Sequence, residues 1–447
     1  MSFWTVERVA SVLGCSAGEG KPFAAISTDT RNIEPGALFV ALVGENFDGH
    51  DFVDAAVLAG ASGVVAARDV AVPPSVTVFR VPDTLIAYGE LAREVRRSIR
   101  GPVVAITGTN GKTSTKEMLK AVLGTKWQVH ATAKNLNNRV GVPQTILSAP
   151  EGTEALVVEA GANEPGEIDA LRKIIEPSVA VVTNVSEGHL LGFGSLAGVL
   201  HEKVSLLTDV PVAVVGTTPK HLPEAARSRA GRVVSAGLTE ADVAPDELKL
   251  ETDGTATIRF GDEVVRLSTP GRHQAENATL AWTVGLELGL EMSAVAVALS
   301  SAMPPNGRCE VVERDGITFI HDAYNANPAS VRSVLDTALA MKGDRELVIV
   351  VGTMLELGPD SAQMHRTAAE WISDANPRLV GAVGEFVEPL TRLAKDADWD
   401  LVTADDSVML GRTLRQRWDK NDLVVIKGSR GMRMERLLTD PESKGSA

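Results

Sequence analysis

Short apolar runs alternate with helical stretches along most of the chain. The strands predicted in the first hundred residues are 37–43, 63–67 and 77–81. Helices are predicted at 51–59 and 83–99, and the second of them is rich in charge. That helix runs into Arg100-Gly101-Pro102, which we interpret as a linker because glycine and proline interrupt regular structure. A first domain is therefore predicted to end near residue 99.

The second block repeats an order of strand followed by helix. Its predicted strands are 103–107, 155–160, 179–184 and 212–216. They are short and rich in β-branched residues, as buried parallel strands usually are. Helical stretches follow most of them. This alternation predicts a doubly wound, mostly parallel sheet, with ligands bound at the carboxyl ends of its strands.

The alternation restarts after Gly307-Arg308-Cys309. Strands are predicted at 318–321, 347–352, 379–383 and 423–427, with helices between them. We therefore predict an α/β fold of three domains, which span residues 1–99, 100–310 and 311–447. The length agrees with this, because 447 residues at about 100 to 200 per domain give two to four domains.

Charge and cysteine content narrow the class of protein. The chain has 44 Lys and Arg against 58 Asp and Glu, a formal net charge of −14, and no basic run. General binding to nucleic acid or to an anionic membrane is therefore disfavoured, although backbone N–H groups and one or two cations can still bind an anion locally. Only Cys15 and Cys309 are present, and no apolar run approaches the ~20 residues of a membrane helix. We expect a soluble cytoplasmic protein.

A glycine-bearing turn separates the predicted strand at 103–106 from a helix that begins at Thr113. The turn reads Thr107-Gly108-Thr109-Asn110-Gly111-Lys112-Thr113. Such a turn lets backbone N–H groups close on phosphate oxygens, while the lysine reaches the terminal phosphates and the threonine hydroxyl meets Mg²⁺. The general pattern would place a glycine at Ile106, so this is a variant of it. The sequence indicates a phosphate loop, and the alternative is a purely structural turn.

Two polar residues near strand ends and a lysine on a helix are further candidates. Glu159 ends a predicted strand and is either a surface charge or a Mg²⁺ ligand. His189 lies in the loop after the strand at 179–184 and, taken alone, favours a structural role. Lys203 occupies the apolar stripe of a helix. Either its ammonium reaches water along a buried stem, or it faces the site as a cation or as a carbamylated, metal-binding lysine.

Polar residues also follow two strands of the third block. Asp322-Ala323-Tyr324-Asn325-Ala326-Asn327-Pro328 precedes a helix that the proline would start. This composition suits turn and capping chemistry. It also suits a nucleotide, with a carboxylate for ribose, an amide for the base and an aromatic face for stacking. Lys427-Gly428-Ser429-Arg430-Gly431 closes the last strand, where an arginine can bind a carboxylate through two hydrogen bonds.

These motifs resemble the Mur ligases, a family of cell-wall precursor synthesis. The turn at 107–113 is similar to that family's own phosphate loop, which accounts for the missing first glycine. The segments at 135–143, 322–328 and 427–430 resemble the family member that uses D-alanyl-D-alanine. Residues 27–31, with Asp48-Gly49-His50, look like the UDP-sugar-binding first domain. The resemblance runs from about Ile26 to Arg433, nearly the whole chain.

The resemblance implies a role for individual residues. The catalytic residues that it implies are Lys112, His189 and Lys203. The Mg²⁺ ligands that it implies are Thr113, Glu159, His189 and carbamylated Lys203. For ATP it implies Thr107, Gly108, Thr109, Asn110, Gly111, Lys112, Thr113, Ser114, Asn277, Arg308, Asp322, Tyr324 and Asn325. For the other substrates we assign Ser27, Thr30, Arg31, Asn135, Asn138, Asn327, Lys427, Ser429 and Arg430.

The resemblance also implies a fold and an activity. The fold is a small UDP-sugar-binding α/β domain, a central P-loop-type doubly wound domain and a C-terminal Rossmann-like domain. The activity is an ATP- and Mg²⁺-dependent ligation of D-alanyl-D-alanine to UDP-N-acetylmuramoyl-tripeptide through an acyl phosphate, by a monomer whose third domain closes on the second. The sequence departs from the family at Thr353, where an aspartate is more usual, so this chain lacks a carboxylate at that position.

Two kinds of rival remain. The first is another amide ligase of this type, either a different Mur ligase or a protein like folylpolyglutamate synthase. Because that synthase lacks the UDP-sugar-type first domain, residues 27–31 and 48–50 speak against it. The second is a switch or binding protein that hydrolyses ATP without ligation.

Overall fold

The computed structural model describes residues 3–16, 19–188, 190–303 and 307–438. These residues form three α/β domains with parallel sheets, as the sequence predicted. By contacts, the chain divides into two compact units. The first contains Met1–Val103, Gln128–Ala160 and Asp169–Pro177, and the second contains Val104–Trp127, Gly161–Ile168 and Ser178–Ala447. Each unit is described by itself below.

The amino-terminal part is a parallel sheet with helices. Its elements are α1 Val6–Leu13, β1 Ile26–Ser27, β2 Leu38–Val40, α2 Val53–Leu58, β3 Gly63–Ala66, β4 Thr77–Arg80 and α3 Thr84–Ser98. The strands pair in the order β1-β2-β3-β4. Side chains alternate across β2, since Leu38 and Val40 enter one apolar cluster and Phe39 enters another. The sheet is therefore covered by apolar side chains on both faces.

The middle part supplies elements to both units. Its elements are β5 Val103–Thr107, α4 Lys112–Leu123, β6 Val129–Ala131, α5 Gly141–Leu147, β7 Ala155–Glu159, α6 Glu167–Ile175, β8 Val179–Val182, α7 Leu190–Phe193, α8 Leu196–Ser205, β9 Val212–Val215, α9 Leu222–Arg227, β10 Arg232–Ser235, β11 Glu247–Leu250, β12 Thr255–Phe260, β13 Glu263–Pro270, α10 Arg272–Glu287 and α11 Met292–Ser301. In the first unit β6 pairs with β7 in parallel. In the second, β5, β8, β9 and β10 form consecutive parallel pairs, and β11, β12 and β13 form an antiparallel sheet.

The C-terminal part is a six-stranded sheet with helices. Its elements are β14 Glu310–Arg314, β15 Ile317–Asp322, α12 Pro328–Lys342, β16 Glu346–Val351, α13 Ser361–Asp374, β17 Leu379–Val383, α14 Val387–Leu393, β18 Asp400–Ala404, α15 Ser407–Leu414 and β19 Asp422–Lys427. The strand order is β14-β15-β19-β16-β17-β18, and only β14 is antiparallel to its neighbour. The carboxyl ends of β15, β19 and β16 therefore lie side by side.

The predicted strands are present, and their ends differ from the predicted ones by at most three residues. The prediction missed several strands, namely β1, β6, β10, β11, β12, β13, β14 and β18. Most of these are partly exposed and carry polar residues, so they lack the continuous apolar run that marks a buried strand. Among the described residues, no helix combines the length and the apolar content that crossing a membrane requires.

Candidate active site

The phosphate loop connects β5 to α4 in the second unit. Gly108 and Gly111 both have positive φ, +144° and +81°. A Cβ on Gly108 would lie 2.0 Å from Oγ1 of Thr183, and a Cβ on Gly111 would lie 2.4 Å from Oδ1 of Asn277. Glycine is therefore required at both positions by conformation and by space. The second contact also places Asn277, one of the predicted ATP residues, directly against the loop.

The end of β8 and the residues that follow it stabilise the loop by hydrogen bonds. The Thr109 N–H donates to the carbonyl of Asn184 at 2.9 Å, and the Asn110 N–H donates to Oδ1 of Asn184 at 3.0 Å. The Thr183 hydroxyl donates to the Asn110 carbonyl at 2.6 Å. The sequence prediction missed Thr183 and Asn184, because nothing in a lone Thr-Asn pair indicates that it supports a loop more than seventy residues away.

The first residues of α4 carry the groups that bind phosphate in such loops. The Lys112 Nζ donates to the carbonyls of Gly108 and Thr109 at 2.8 and 3.1 Å, so the ammonium lies over the loop. Thr113 and Ser114 are buried in the first helical turn. The start of a helix presents backbone N–H groups and a positive dipole end. The geometry fits the phosphates of a nucleotide, although Lys112 would have to exchange carbonyls for phosphate oxygens.

Lys203 on α8 is almost completely buried, with 1% of its surface exposed. The ammonium therefore does not reach water, and the alternative in which Lys203 extends to the surface is wrong. Burial, and after it the nearby charge of Lys112, lowers the pKa of Lys203 to about 7, against opposing contributions from Glu202 and Glu167. A lysine with such a pKa is partly a neutral, nucleophilic amine at neutral pH.

Glu202, next to Lys203, is a second buried ionisable residue that the sequence prediction missed. It is 3% exposed. Its carboxylate accepts hydrogen bonds from the N–H groups of Gly166 and Ile168, at 2.8 and 2.7 Å. These N–H groups belong to the start of α6, where a helix lacks internal acceptors. Glu202 therefore caps α6 and fixes the turn of α8 that carries Lys203.

Glu159 lies in the first unit, at the last position of β7, and is buried. Its N–H donates to the Thr132 hydroxyl at 2.9 Å, and its Oε1 accepts from the Asn137 amide at 2.8 Å. The surface-charge alternative for Glu159 is therefore wrong, whereas its role as a ligand stays a prediction. Asn137 orients this carboxylate and was not among the predicted residues. Predicted residue His189 lies outside the described residues.

The candidate nucleotide segment of the third domain is held together by Lys427. Lys427 is 2% exposed, and its Nζ lies 2.9 Å from Oδ2 of Asp322. It also donates to the backbone carbonyls of Asp322 and Asn325. The Cys309 N–H donates to Oδ1 of Asp322 at 3.2 Å. The structure thus brings Asp322, Asn325 and Lys427 together at the carboxyl ends of β15 and β19.

Two arginines lie close to the ring of Tyr324. The guanidinium carbon of Arg308 is 4.3 Å from the centre of the Tyr324 ring, and that of Arg430 is 6.0 Å from it. Both distances suit a cation–π contact. Ser429 is buried, and its hydroxyl accepts from the Leu355 N–H at 2.9 Å. Two positive charges therefore lie near the loops at the carboxyl edge of the C-terminal sheet.

Thr353, at the position where the family more often has aspartate, has a structural contact. Its hydroxyl accepts a hydrogen bond from the Glu385 N–H at 3.0 Å. A Cβ on the preceding Gly384 would lie 2.1 Å from the same oxygen. An aspartate carboxylate could accept from the same N–H. Threonine therefore supplies an acceptor to the turn after β17 without adding a charge.

The residues assigned to the UDP-sugar lie in the first unit. Asp29 caps a short 3-10 helix, Thr30–Asn32, by accepting from the Arg31 N–H at 3.0 Å. The Arg31 side chain folds back on the same carboxylate and holds the pKa of Asp29 at about 2. Ser27 and Thr30 are half-buried, and Arg31 is exposed. This segment therefore forms a compact turn that carries one exposed cation.

Asn135 and Asn138 also belong to the first unit, and both are exposed. Oδ1 of Asn138 accepts from the N–H groups of Val140 and Gly141, at 3.2 and 2.8 Å, which fixes the start of α5. Contact of either asparagine with a substrate stays a prediction. In the described part of the chain, no group of three or more His, Cys, Asp or Glu residues is arranged to hold a metal ion.

A glycine loop between a buried parallel strand and a helix, with a lysine at the first helical position, defines a nucleotide-phosphate-binding α/β protein. Three family models match this chain. They are the Mur ligase family catalytic domain at residues 22–98, the Mur ligase middle domain at 106–285, and the Mur ligase glutamate ligase domain at 307–430. The UDP-N-acetylmuramoyl-tripeptide–D-alanyl-D-alanine ligase of Bacillus subtilis is 34% identical over 446 residues, 97% of this chain and 96% of the relative. The chain belongs to the Mur ligase family.

Solved structures agree with this membership. A crystal structure of MurF from Acinetobacter baumannii is 30% identical and superposes with a TM-score of 0.88, covering 97% of this chain and 98% of that one. The MurF ligase from Thermotoga maritima in complex with ADP is 29% identical, with a TM-score of 0.83 and coverage of 93% and 96%. The similarity therefore extends through all three domains.

Proposed function

We propose that this protein joins D-alanyl-D-alanine to UDP-N-acetylmuramoyl-tripeptide at the expense of ATP, in the synthesis of peptidoglycan. As a Mur ligase, it is an ATP-using peptide ligase. The observation that supports this most directly is the loop at 107–113, built with two obligatory glycines and a lysine over them. The full-length similarity to ligases of this substrate pair supports the choice of substrates.

The three domains divide the substrates between them in this proposal. Residues 1–99 bind the UDP-sugar through Ser27, Thr30 and Arg31. Residues 100–310 hold ATP on the phosphate loop, with Asn277 against it. Residues 311–447 contribute to ATP and bind the incoming dipeptide. The two arginines near Tyr324, Arg308 and Arg430, suit anionic groups, such as phosphate or the dipeptide carboxylate.

The reaction begins by making a carboxylate electrophilic. The γ-phosphoryl group of ATP moves to the terminal carboxylate of the tripeptide, which gives an acyl phosphate and ADP. The amine of D-alanyl-D-alanine then attacks the acyl carbon, the amide bond forms, and phosphate leaves. Lys112 stabilises the charge on the phosphoryl oxygens during the transfer, and the backbone N–H groups of the loop orient the phosphates.

Mg²⁺ and a carbamylated lysine belong to the same proposal. When bound, Mg²⁺ would neutralise charge on the ATP phosphates. The Thr113 hydroxyl supplies one oxygen ligand of the type that this ion prefers. Lys203 as a neutral amine can take up CO₂, and the carbamate would add negatively charged oxygens, which an unmodified lysine cannot offer. Participation of Glu159 and His189 stays a prediction from the sequence.

The decisive experiment measures phosphate release from ATP under four conditions: ATP alone, ATP with either substrate, and ATP with both. We expect release only when UDP-N-acetylmuramoyl-tripeptide and D-alanyl-D-alanine are both present, with a pentapeptide product of the expected mass. Release that is indifferent to both substrates would instead favour an ATP-hydrolysing switch. The molecular mass of the purified protein in solution tests the proposal that it is a monomer. Fractionation of cells tests the proposal that it is cytoplasmic.

A further inference from the structure

Two asparagine side chains form a reciprocal pair between the phosphate loop and the C-terminal domain. The Asn327 amide nitrogen donates to Oδ1 of Asn110 at 2.9 Å, and the Asn110 amide nitrogen donates to Oδ1 of Asn327 at 3.3 Å. Asn110 is the middle residue of the loop, and Asn327 precedes α12. Both residues belong to the second unit, so the pair lies inside one compact body.

Each partner is fixed by its own domain. The backbone of Asn110 is held by Thr183 and Asn184, as described above. Oδ1 of Asn327 accepts from the Ser330 N–H at 2.9 Å, and the Ser330 hydroxyl accepts from the Asn327 N–H at 3.0 Å, which completes a capping box at the start of α12. The pair therefore connects two ordered parts of the fold.

A helix cap alone does not account for this arrangement. A cap needs only a side-chain acceptor, which Ser or Asp supplies as well as Asn. Asn327 is 4% exposed and also uses its amide nitrogen as a donor. Binding of phosphate by the Asn110 side chain does not account for it either, because that amide is already engaged with Asn327 and with the hydroxyl of Ser186 at 3.2 Å.

The pair is placed so that a change in the contacts of the phosphate loop can change the contacts at the start of α12. Lys112 donates to the carbonyls of Gly108 and Thr109, the residues that lead into Asn110. ATP phosphates compete for that ammonium, so the contacts of the loop change when ATP binds. Asn327 in turn lies two residues after the segment from Asp322 to Asn325, which we propose contacts the nucleotide. The two halves of the nucleotide site are thus joined at Asn110 and Asn327.

We propose that Asn110 and Asn327 are a pair of positioning residues that couples nucleotide binding at the phosphate loop to the start of α12. The pair holds the C-terminal domain in register with the bound phosphates. The expected effect of the pair on ligation rests on the proposed function. The coupling between the phosphate loop and α12 does not, and it can be tested by binding ADP alone.

The first test measures hydrogen exchange at the Ser330 and Val331 amides, with and without ADP. We expect ADP to slow this exchange several-fold in the natural protein, and to leave it unchanged in Asn110→Ala, which lacks the pair but retains Lys112 and the glycines. Equal protection in both proteins would overturn the coupling. Because no ligation is needed, this result stands apart from any failure of the proposed function.

The second test is a double-variant cycle on ligation. Asn327→Ser keeps a capping acceptor but is too short to reach Asn110. We expect Asn110→Ala and Asn327→Ser each to lower kcat, measured at saturating ATP, about five- to fifty-fold, and the combined variant to be no worse than either. Losses that multiply, or an effect on ADP affinity alone, would contradict a positioning pair.

A matched control separates coupling from helix stability. Ser330→Ala removes the reciprocal half of the capping box and leaves both amides of the pair in place. We expect this variant to lower the melting temperature while kcat and the ADP-dependent exchange stay as in the natural protein. A fall in kcat as large as that of Asn327→Ser would assign the effect to the cap and overturn the proposal.

Discussion

At the scale of single residues, Lys203 combines burial with a lowered pKa. Its pKa of about 7, against 10.5 for an ordinary lysine, means that the amine is mostly neutral at pH 8. Only the neutral amine reacts with CO₂. We therefore expect the carbamate signal from ¹³C-labelled CO₂, followed by NMR, to grow between about pH 6 and pH 8 rather than above pH 10.

The same residue predicts a chemical rescue. Lys203→Ala should reduce ligation by about two orders of magnitude, because oriented charge at phosphoryl transfer contributes energies of that size. Formate or acetate should restore part of the activity by replacing the carbamate oxygens. Lys116→Ala is the matched control, since it removes another buried lysine of the same unit, and its activity should not respond to carboxylates. A fully active Lys203→Ala enzyme that carboxylates leave unchanged would rule out the carbamate.

Site residues could be predicted from the sequence where their function depends only on residues that are adjacent in the chain. Gly108, Gly111 and Lys112 follow from seven consecutive letters, because a phosphate loop is built from its own backbone. Asn137 and Glu202 were missed, although both are buried partners of candidate site residues. Their contacts join positions 22 and 34 residues apart, and only tertiary folding brings such positions together. A single sequence contains no period or spacing that indicates them.

At the scale of elements, the cap of α6 by Glu202 gives a stability prediction. Glu202→Ala would leave the N–H groups of Gly166, which is exposed, and of Ile168, which is buried, without their acceptor. We expect a loss of about 2 to 4 kcal/mol in the free energy of unfolding, measured by denaturant titration, because two charge-assisted hydrogen bonds disappear. Glu202→Gln retains an amide oxygen and should lose less.

The neighbouring residue provides the control for that prediction. His201 lies one position earlier on α8 and is exposed, so His201→Ala should stay within about 0.5 kcal/mol of the natural protein. If Glu202→Ala and His201→Ala had the same free energy of unfolding, the stability of α6 would not depend on this cap.

Element prediction from the sequence depended on burial. Of the strands predicted in the sheet centres, β5, β8 and β19 are buried along their whole length, and β16 is buried after its first residue, Glu346. Their β-branched runs mark them clearly. The missed antiparallel sheet of β11, β12 and β13 has mixed polar and apolar positions, and β11 is mostly exposed. Its strands pair with each other in space, a property that no apolar run along the chain encodes.

At the scale of the whole molecule, the C-terminal domain has a complete core of its own. Leu347, Ile349 and Val351 of β16 enter one apolar cluster, whereas Val348 and Val350 enter another. The residues of β19 divide between the same two clusters. The other strands, the helices and the loops of the same domain supply the other members, so both faces of the sheet are covered from within.

The amino-terminal domain is built differently. Its helix α3 packs against α5 of the middle part, and Leu147 of α5 contacts its apolar cluster. Arg93 lies 2.7 Å from the Glu176 carboxylate, and Arg96 donates to the Ile175 carbonyl at 2.7 Å. These contacts lie within the first unit. Cutting the chain after residue 103 would therefore expose a packed helix face and remove the partners of two arginines.

The two domains should consequently behave differently as isolated fragments. We expect residues 307–438 to fold alone, with one cooperative thermal transition and dispersed amide signals in NMR, because the fragment retains both layers of its core. The fragment 1–103 should instead aggregate or unfold without cooperativity, since apolar surface of α3 would face water.

ADP should raise the melting temperature of the full chain but not that of the fragment 307–438, because the phosphate loop is not part of this fragment. If the fragment 307–438 showed no cooperative transition, its core would depend on the middle domain. The three domains would then be distinct in their architecture, but the third would not be stable without the second.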